Sequence, residues 1–411
     1  MCEDKYFLDE ADELIFTNVN LVMADGILTD MRLRVENGVL TALEADEPGT
    51  LPANGEKVQI VDCGGLYLAP GFVDQHCHGG AGGRFMTVPR TSTAYHLCHG
   101  TTSVMATFSN CPTVADMCNG ISAIADFYFS DDPLAAAVAG IHMEGPFINP
   151  RFGSRREWSI APDVERALEF QRLARGMRSI WSVAPELPGC LEVCRALRTS
   201  GEKYLPRFLV GHSAASYEEI MALLPLGLAA ATHCTNATGR SIEPTRFGGT
   251  REFGVDEAVW LTDAISAEVI PDYYGVHVRP QMLQLILKIK GDEGVIIITD
   301  CTFSAGAVPD SIPAEFNTDQ LDVSFNNKGG LSGSQLTMDR AAANMRRHTG
   351  ASLVSIFRMA ALNPARFIGI DDTVGSIEVG KRANLVLVDE DLNLHGVWLD
   401  GRAVKRSGGC M

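Results

Sequence analysis

The sequence has no apolar run approaching the roughly 20 residues that a membrane-spanning helix needs. Its start, Met1-Cys2-Glu3-Asp4-Lys5, carries neither the basic residues nor the apolar stretch of a secretory signal. Positive charge is scarce: 34 Lys and Arg stand against 51 Asp and Glu, a formal net charge of −17. That balance leaves no basic footprint for nucleic acid or for an anionic membrane surface. The 11 cysteines never fall in a Cys-x-x-Cys pair and are odd in number, so they read as reduced thiols rather than a disulfide framework. These absences predict a soluble, cytoplasmic protein with a small molecule as partner. An anionic substrate stays open, because a few arginines or a helix N-terminus can oppose a global field. Two catalytic signatures are also missing. Without a Gly-x-Ser-x-Gly elbow, or a thiol with an evident histidine partner, a covalent acyl-enzyme has little support.

At 411 residues the chain exceeds a single compact core of ordinary size, and its texture changes along its length. Short alternating runs open it, at 14–19, 31–35, 39–43 and 58–61, with Asn37-Gly38 as a two-residue hairpin signal between two of them. Similar runs close it, at Gly375-Ser376-Ile377, 383–388 and 397–402. Between these ends, β-branched or small apolar runs recur eight times, at 71–74, 102–107, 137–141, 179–183, 208–210, 229–231, 267–270 and 295–298. Helical patterns separate them, at 114–128, 164–175, 217–224 and 280–290. Eightfold alternation of strand and helix predicts an α/β fold, a (β/α)₈ TIM-like barrel over residues 69–369. A small β-sandwich built from both termini, 1–68 and 370–411, is expected beside it. A doubly wound open sheet is disfavoured, because no Gly-x-Gly-x-x-Gly turn follows a strand in the required place.

Polar residues then fall at the ends of the apolar runs. His76 and His78 end the first barrel strand, His142 and Glu144 the third, His212 the fifth, His233 the sixth and Asp300 the eighth. Alternate residues of a strand share a face, so His76 and His78 point the same way, and in a barrel all these ends converge. His142 is expected to pack beneath the site rather than act in it. Imidazoles with a carboxylate suit Zn²⁺ or a similar first-row ion with an open coordination position. Such an ion polarises a carbonyl and lowers the pKa of water, while a nearby carboxylate moves the proton, which describes hydrolysis of an amide-like bond. Two rivals are deamination or cyclic-amide opening at the same site, and a non-enzymatic metal-binding scaffold, which would have no need of a water-activating acid.

The segment Pro70-Gly71-Phe72-Val73-Asp74-Gln75-His76-Cys77-His78-Gly79-Gly80 resembles the first metal motif of the amidohydrolase superfamily. Further segments resemble its N-acetylglucosamine-6-phosphate deacetylases. They include His142-Met143-Glu144-Gly145-Pro146, Gly211-His212-Ser213, Thr232-His233-Cys234-Thr235-Asn236-Ala237, Thr299-Asp300, Leu331-Ser332-Gly333-Ser334 and Asn363-Pro364-Ala365-Arg366. The resemblance implies a homodimeric, metal-dependent enzyme of amino-sugar catabolism that releases acetate from N-acetylglucosamine 6-phosphate and leaves glucosamine 6-phosphate. It implies Glu144, His212 and His233 as ligands of a principal ion, His76 and His78 as ligands of a second ion bridged by Glu144, and Asp300 as general base and acid. One or two divalent ions per subunit follow, with Zn²⁺ foremost and Fe²⁺, Mn²⁺ or Co²⁺ as alternatives. For substrate contacts it implies Asn236, Ala237, His277 and Leu331. Two departures mark the substrate loops. The family's Arg-Glu-Pro-Gly segment after Asn-Ala is absent, leaving Arg240, Arg246 or Arg251 to meet a phosphate. Where the family carries a histidine after Asn149-Pro150, Arg155 stands near the expected position. A different N-acylated sugar, such as N-acetylgalactosamine 6-phosphate, or another amide is therefore the alternative substrate.

Overall fold

The computed structural model describes residues 7, 12–47, 51, 58–109, 111–153, 158–239, 245–250, 252–303, 305, 322–325 and 330–405. Eight parallel strands pair in sequence order: Phe72–Cys77, Thr101–Ser109, Val138–Glu144, Ser179–Val183, Arg207–Val210, Leu228–Ala231, Ser266–Val269 and Val295–Ile297. All eight coincide with the apolar runs of the sequence. Most of their residues are buried, as expected of strands with a filled barrel interior on one side and helices on the other.

The first and eighth strands do not form a full ladder with each other. Closure is made by a parallel bridge between Cys77, the last residue of the first strand, and Cys301, beyond the end of the eighth. His78 N donates to Cys301 O at 2.8 Å, and Asp300 N donates to His76 O at 2.8 Å. The seam of the barrel therefore falls between His76, His78 and Asp300 and fixes their backbones directly.

The outer helices are begun by side chains suited to the task. Thr113 accepts from Asp116 N ahead of Val114–Tyr128, Asp163 accepts from Arg166 N ahead of Val164–Leu173, and Ser216 with Glu219 forms a capping box ahead of Tyr217–Leu223. Met338–Thr349 and Asn363–Ile368 follow the eighth strand. Among the described residues no helix is long and apolar enough to cross a membrane.

A second sheet joins the two ends of the chain. Its path runs Arg402–Ala403, Leu394–Leu399, Leu385–Val388, Tyr67–Pro70, Glu13–Val22, Ile27–Glu36 and Val39–Ala45, with Val58–Asp62 also paired to Glu13–Val22. Asn37 and Gly38 turn the hairpin with φ of 50° and 75°, the left-handed pair that such a tight connection demands. The sheet carries its own core, in which Trp398 meets Phe16 edge-on at 4.8 Å among Leu14, Leu33, Leu68 and Leu385. Gly375-Ser376-Ile377 is not a strand, contrary to its texture. Gly375 adopts φ 90° where a Cβ would come within 2.6 Å of the Ala365 Cβ, so close contact with the neighbouring helix bends the chain while Ile377 still enters the core.

Candidate functional site

At the C-terminal mouth of the barrel Glu144 is the common neighbour of four imidazoles. Its Oε1 lies 3.0 Å from His212 Nε2, 3.2 Å from His233 Nε2 and 3.3 Å from His76 Nε2, and its Oε2 lies 3.0 Å from His78 Nε2. Asp300 Oδ1 sits 3.1 Å from His78 Nε2 and 3.5 Å from His76 Nε2. Two overlapping donor sets result: Glu144 with His212 and His233, and Glu144 with His76, His78 and Asp300. The strand alternation holds as anticipated, since Cys77 faces away from the cluster and rests its Sγ 3.1 Å from His96 Nε2.

Backbone conformation aims these side chains. His212, His233 and Asp300 each follow a strand end and adopt φ of 48°, 29° and 48°. The left-handed region costs a non-glycine residue on the order of 1 kcal/mol, and such strain concentrates at functional sites. Gly153 backs His212, where a Cβ would approach Nδ1 to 2.9 Å.

The electrostatics belong to one coupled cluster. Burial would raise the Glu144 carboxyl, but His76 and the hydrogen bonds to His212 and His233 hold it well below the usual carboxylate range. Burial would likewise lower His76, yet Glu144 and Asp300 lift it well above the ordinary imidazole value. His78 and His233 are raised by the same carboxylates against burial. Asp300 is lowered, with burial opposing and His76 and His78 favouring the anion. In His212 burial wins, and its pKa falls. The arrangement fits a divalent cation. The buried His76 Nε2 faces two carboxylate oxygens without a hydrogen-bond partner, and the nitrogen and oxygen donors all point into one small volume.

His142 lies below this cluster. Its ring centroid is 4.5 Å from that of His76, its Nε2 meets Ser182 Oγ at 2.8 Å, and burial with the adjacent His76 keeps its pKa well below the imidazole norm. Asn236 and Ala237 stand beside His233: Asn236 O accepts from His233 Nδ1 at 3.2 Å, and Asn236 Nδ2 donates to His277 O at 3.1 Å. His277 is oriented by Asp272 Oδ2 at 3.1 Å and donates through Nε2 to Gly333 O at 3.2 Å. Gly333 belongs to the strand Leu331–Ser334, whose Ser334 N donates to Asp300 O at 2.8 Å. Leu331 pairs with Phe325 at the other end of that strand. Arg246 is exposed, on a loop where its N donates to Glu252 Oε1 at 2.9 Å. Arg155, Arg240 and Arg251 lie outside the described residues.

Sequence reasoning passed over Glu268, although a glutamate within the apolar run Ala267-Glu268-Val269-Ile270 was a visible signal. Fully buried on the seventh strand, its carboxylate receives Gln75 Nε2 at 2.7 Å, His76 Nδ1 at 3.3 Å and His233 N at 3.1 Å. It thus turns the Nε2 of His76 into the cluster and anchors the backbone of His233. Such supporting partners are worth about 10–100-fold in metal affinity or activity. Glu268→Gln should therefore weaken metal retention by that order, measured by competition with a chelator, with little change in secondary structure. Full retention would assign Glu268 to packing alone. Glu186 pins the Asn149 and Ser213 loops, accepting from Asn149 Nδ2, Ser213 Oγ and Ala214 N at 2.7 Å each.

Residues 257–404 match the model of the amidohydrolase family. An N-acetylglucosamine-6-phosphate deacetylase of Lysinibacillus sphaericus is 29% identical over 401 residues, 95% of this chain and 97% of its own. An N-acetylgalactosamine-6-phosphate deacetylase of Escherichia coli O157:H7 is 30% identical over 391 residues, 93% of this chain and 97% of its own. A mutant N-acetyl-D-glucosamine-6-phosphate deacetylase from Mycobacterium smegmatis, solved with N-acetyl-D-glucosamine 6-phosphate, is 26% identical. It superposes with a TM-score of 0.79, covering 96% of this chain and 99% of that one.

Proposed function

The chain belongs to the amidohydrolase family, and from that premise we propose that it deacetylates N-acetylglucosamine 6-phosphate, giving glucosamine 6-phosphate and acetate. The observation that carries this reading is the single carboxylate, Glu144, shared by four imidazoles with Asp300 alongside. Glu144, His212 and His233 would hold the principal divalent ion, and His76 and His78 with Glu144 and Asp300 offer a second position. Bound there, the ion supplies Lewis acidity to the acetamide carbonyl and acidity to a water molecule.

The chain's own groups do the rest. Asp300, held as an anion beside His76 and His78, accepts the proton of the attacking water and returns it to the sugar nitrogen as the C–N bond breaks. Glu268 and the Asn236 carbonyl orient His76 and His233 through their second ring nitrogens. Asn236, Ala237, His277 and Leu331 would form the substrate side, with Asp272 fixing the His277 ring, and Arg155, outside the described residues, is the further contact expected from the sequence. Arg240, Arg246 or Arg251 would meet the phosphate. Zn²⁺ is the first ion to test, with Fe²⁺, Mn²⁺ and Co²⁺ next, one or two per subunit in a homodimer.

The galactosamine epimer is the second reading, supported by the 30% identity to a deacetylase named for it. Acetate release by metal-loaded protein separates the cases. N-Acetylglucosamine 6-phosphate, its galactosamine epimer and unphosphorylated N-acetylglucosamine are compared at equal concentration. Rapid release is expected only from a phosphorylated sugar, and the faster epimer assigns the substrate. Release from none, with metal bound, would overturn the deacetylase reading.

A further inference from the structure

At the opposite end of the barrel a cleft opens where the fourth, fifth and sixth strands begin, at Ser179, Arg207 and Leu228. Four cations line it: Arg178, Arg198, Lys203 and Arg207. Among the described residues none of them forms an ion pair, in a chain whose carboxylates outnumber its cations 51 to 34. Each is held by something neutral instead. Arg178 packs its guanidinium over the Tyr204 ring at 3.9 Å, Lys203 reaches the same ring at 4.9 Å, Arg198 Nη1 donates to Pro206 O at 3.1 Å, and Arg207 Nη1 donates to Arg366 O at 3.0 Å.

Two glycines lie directly beside the guanidinium groups. A Cβ on Gly369 would lie 3.5 Å from Arg178 Nη1 and 3.9 Å from Arg207 Nη2, and one on Gly227 would lie 3.3 Å from Arg198 Nη1. Both glycines have positive φ, 75° and 97°. Partial burial, then Arg198 and Arg178, lower the pKa of Arg207 although Asp371 acts the other way. Like charges are thus crowded here, with the charge of Asp371 reaching Arg207 but no carboxylate in an ion pair with any of the four among the described residues, an arrangement that an anion relieves. Planar forks and an ammonium match the oxygens of a phosphoryl group.

We propose that this cleft binds a small phosphorylated anion, at a site separated from the catalytic mouth by the length of the barrel. Free phosphate and a phosphate ester share the recognised chemistry. Inorganic phosphate is the first probe and glucose 6-phosphate the second, and tighter binding of the ester would assign the cleft to esters.

Hydrogen–deuterium exchange of the full-length, metal-loaded protein locates binding without reference to turnover. Saturating phosphate should protect peptides spanning 178–183 and 203–210, with an apparent affinity about tenfold weaker in Arg178→Ala/Arg207→Ala, by the usual worth of a charge-assisted hydrogen bond. Lys203→Glu, on an exposed side chain, should weaken binding several-fold with the core untouched, and guards against a double variant that fails to fold. Unchanged exchange in these peptides, protection confined to peptides around His277, or equal affinity in Lys203→Glu would each overturn the proposal.

Discussion

Replacing Asp300 by asparagine is expected to lower acetate release on the order of 10³-fold while leaving a folded, metal-loaded protein. The substitution suits the position. Asp300 has φ 48°, a conformation that asparagine tolerates almost alone among the other non-glycine residues. Its backbone links to His76 and Ser334 do not involve the side chain. An asparagine Oδ1 can still face His78 Nε2, where Asp300 stands at 3.1 Å. The variant cannot take a proton from water and hand it on. The ion held by Glu144, His212 and His233 should be retained, circular dichroism should match the parent, and the loss should fall on kcat rather than KM. A variant keeping more than a tenth of the parental kcat would show that the proton moves elsewhere.

Glu144→Gln should be as damaging, by a different route. The carboxylate serves four imidazoles at 3.0–3.3 Å with its two oxygens, and it is the only residue common to both donor sets that include histidine pairs. A neutral amide offers one weak oxygen ligand and turns a nitrogen donor toward the other donors, so neither metal position survives intact. Metal content after gel filtration is expected to fall to a small fraction of the parental value, and turnover to drop at least about 10³-fold. Restoring turnover with excess metal would place Glu144 outside the principal set. The contrast with Asp300→Asn is the informative part, since one variant keeps its metal and the other loses it.

Much of this architecture was legible before any coordinates. Eight apolar runs at regular spacing specify eight strands, because a barrel strand is buried on both faces and must be apolar nearly throughout. Polar residues at the ends of such runs then stand out, and His76, His78, Glu144, His212, His233 and Asp300 do meet. The alternation argument for His76 and His78 worked because it depends only on the two-residue period of a strand, with Cys77 on the opposite side.

What the linear pattern could not show is how distant segments lean on one another. The role of Glu268 depends on Gln75 and His76, about 190 residues earlier, and the barrel seam closes between Cys77 and Cys301 across more than 220. Gly375-Ser376-Ile377 has the texture of a strand and is bent by contact with Ala365. The cationic cleft needs Arg178 and Arg207 at two strand starts, Arg198 at the end of helix Cys190–Arg198 and Lys203 in the loop that follows it, all brought to one end. Sequence by itself determined the elements, their order and the residue types of the site, because hydrophobic periodicity and strand alternation act within a few residues. Tertiary structure alone decided which oxygen faces which nitrogen and which charges remain unpaired, because those depend on ångström-scale approach between segments that the chain keeps far apart.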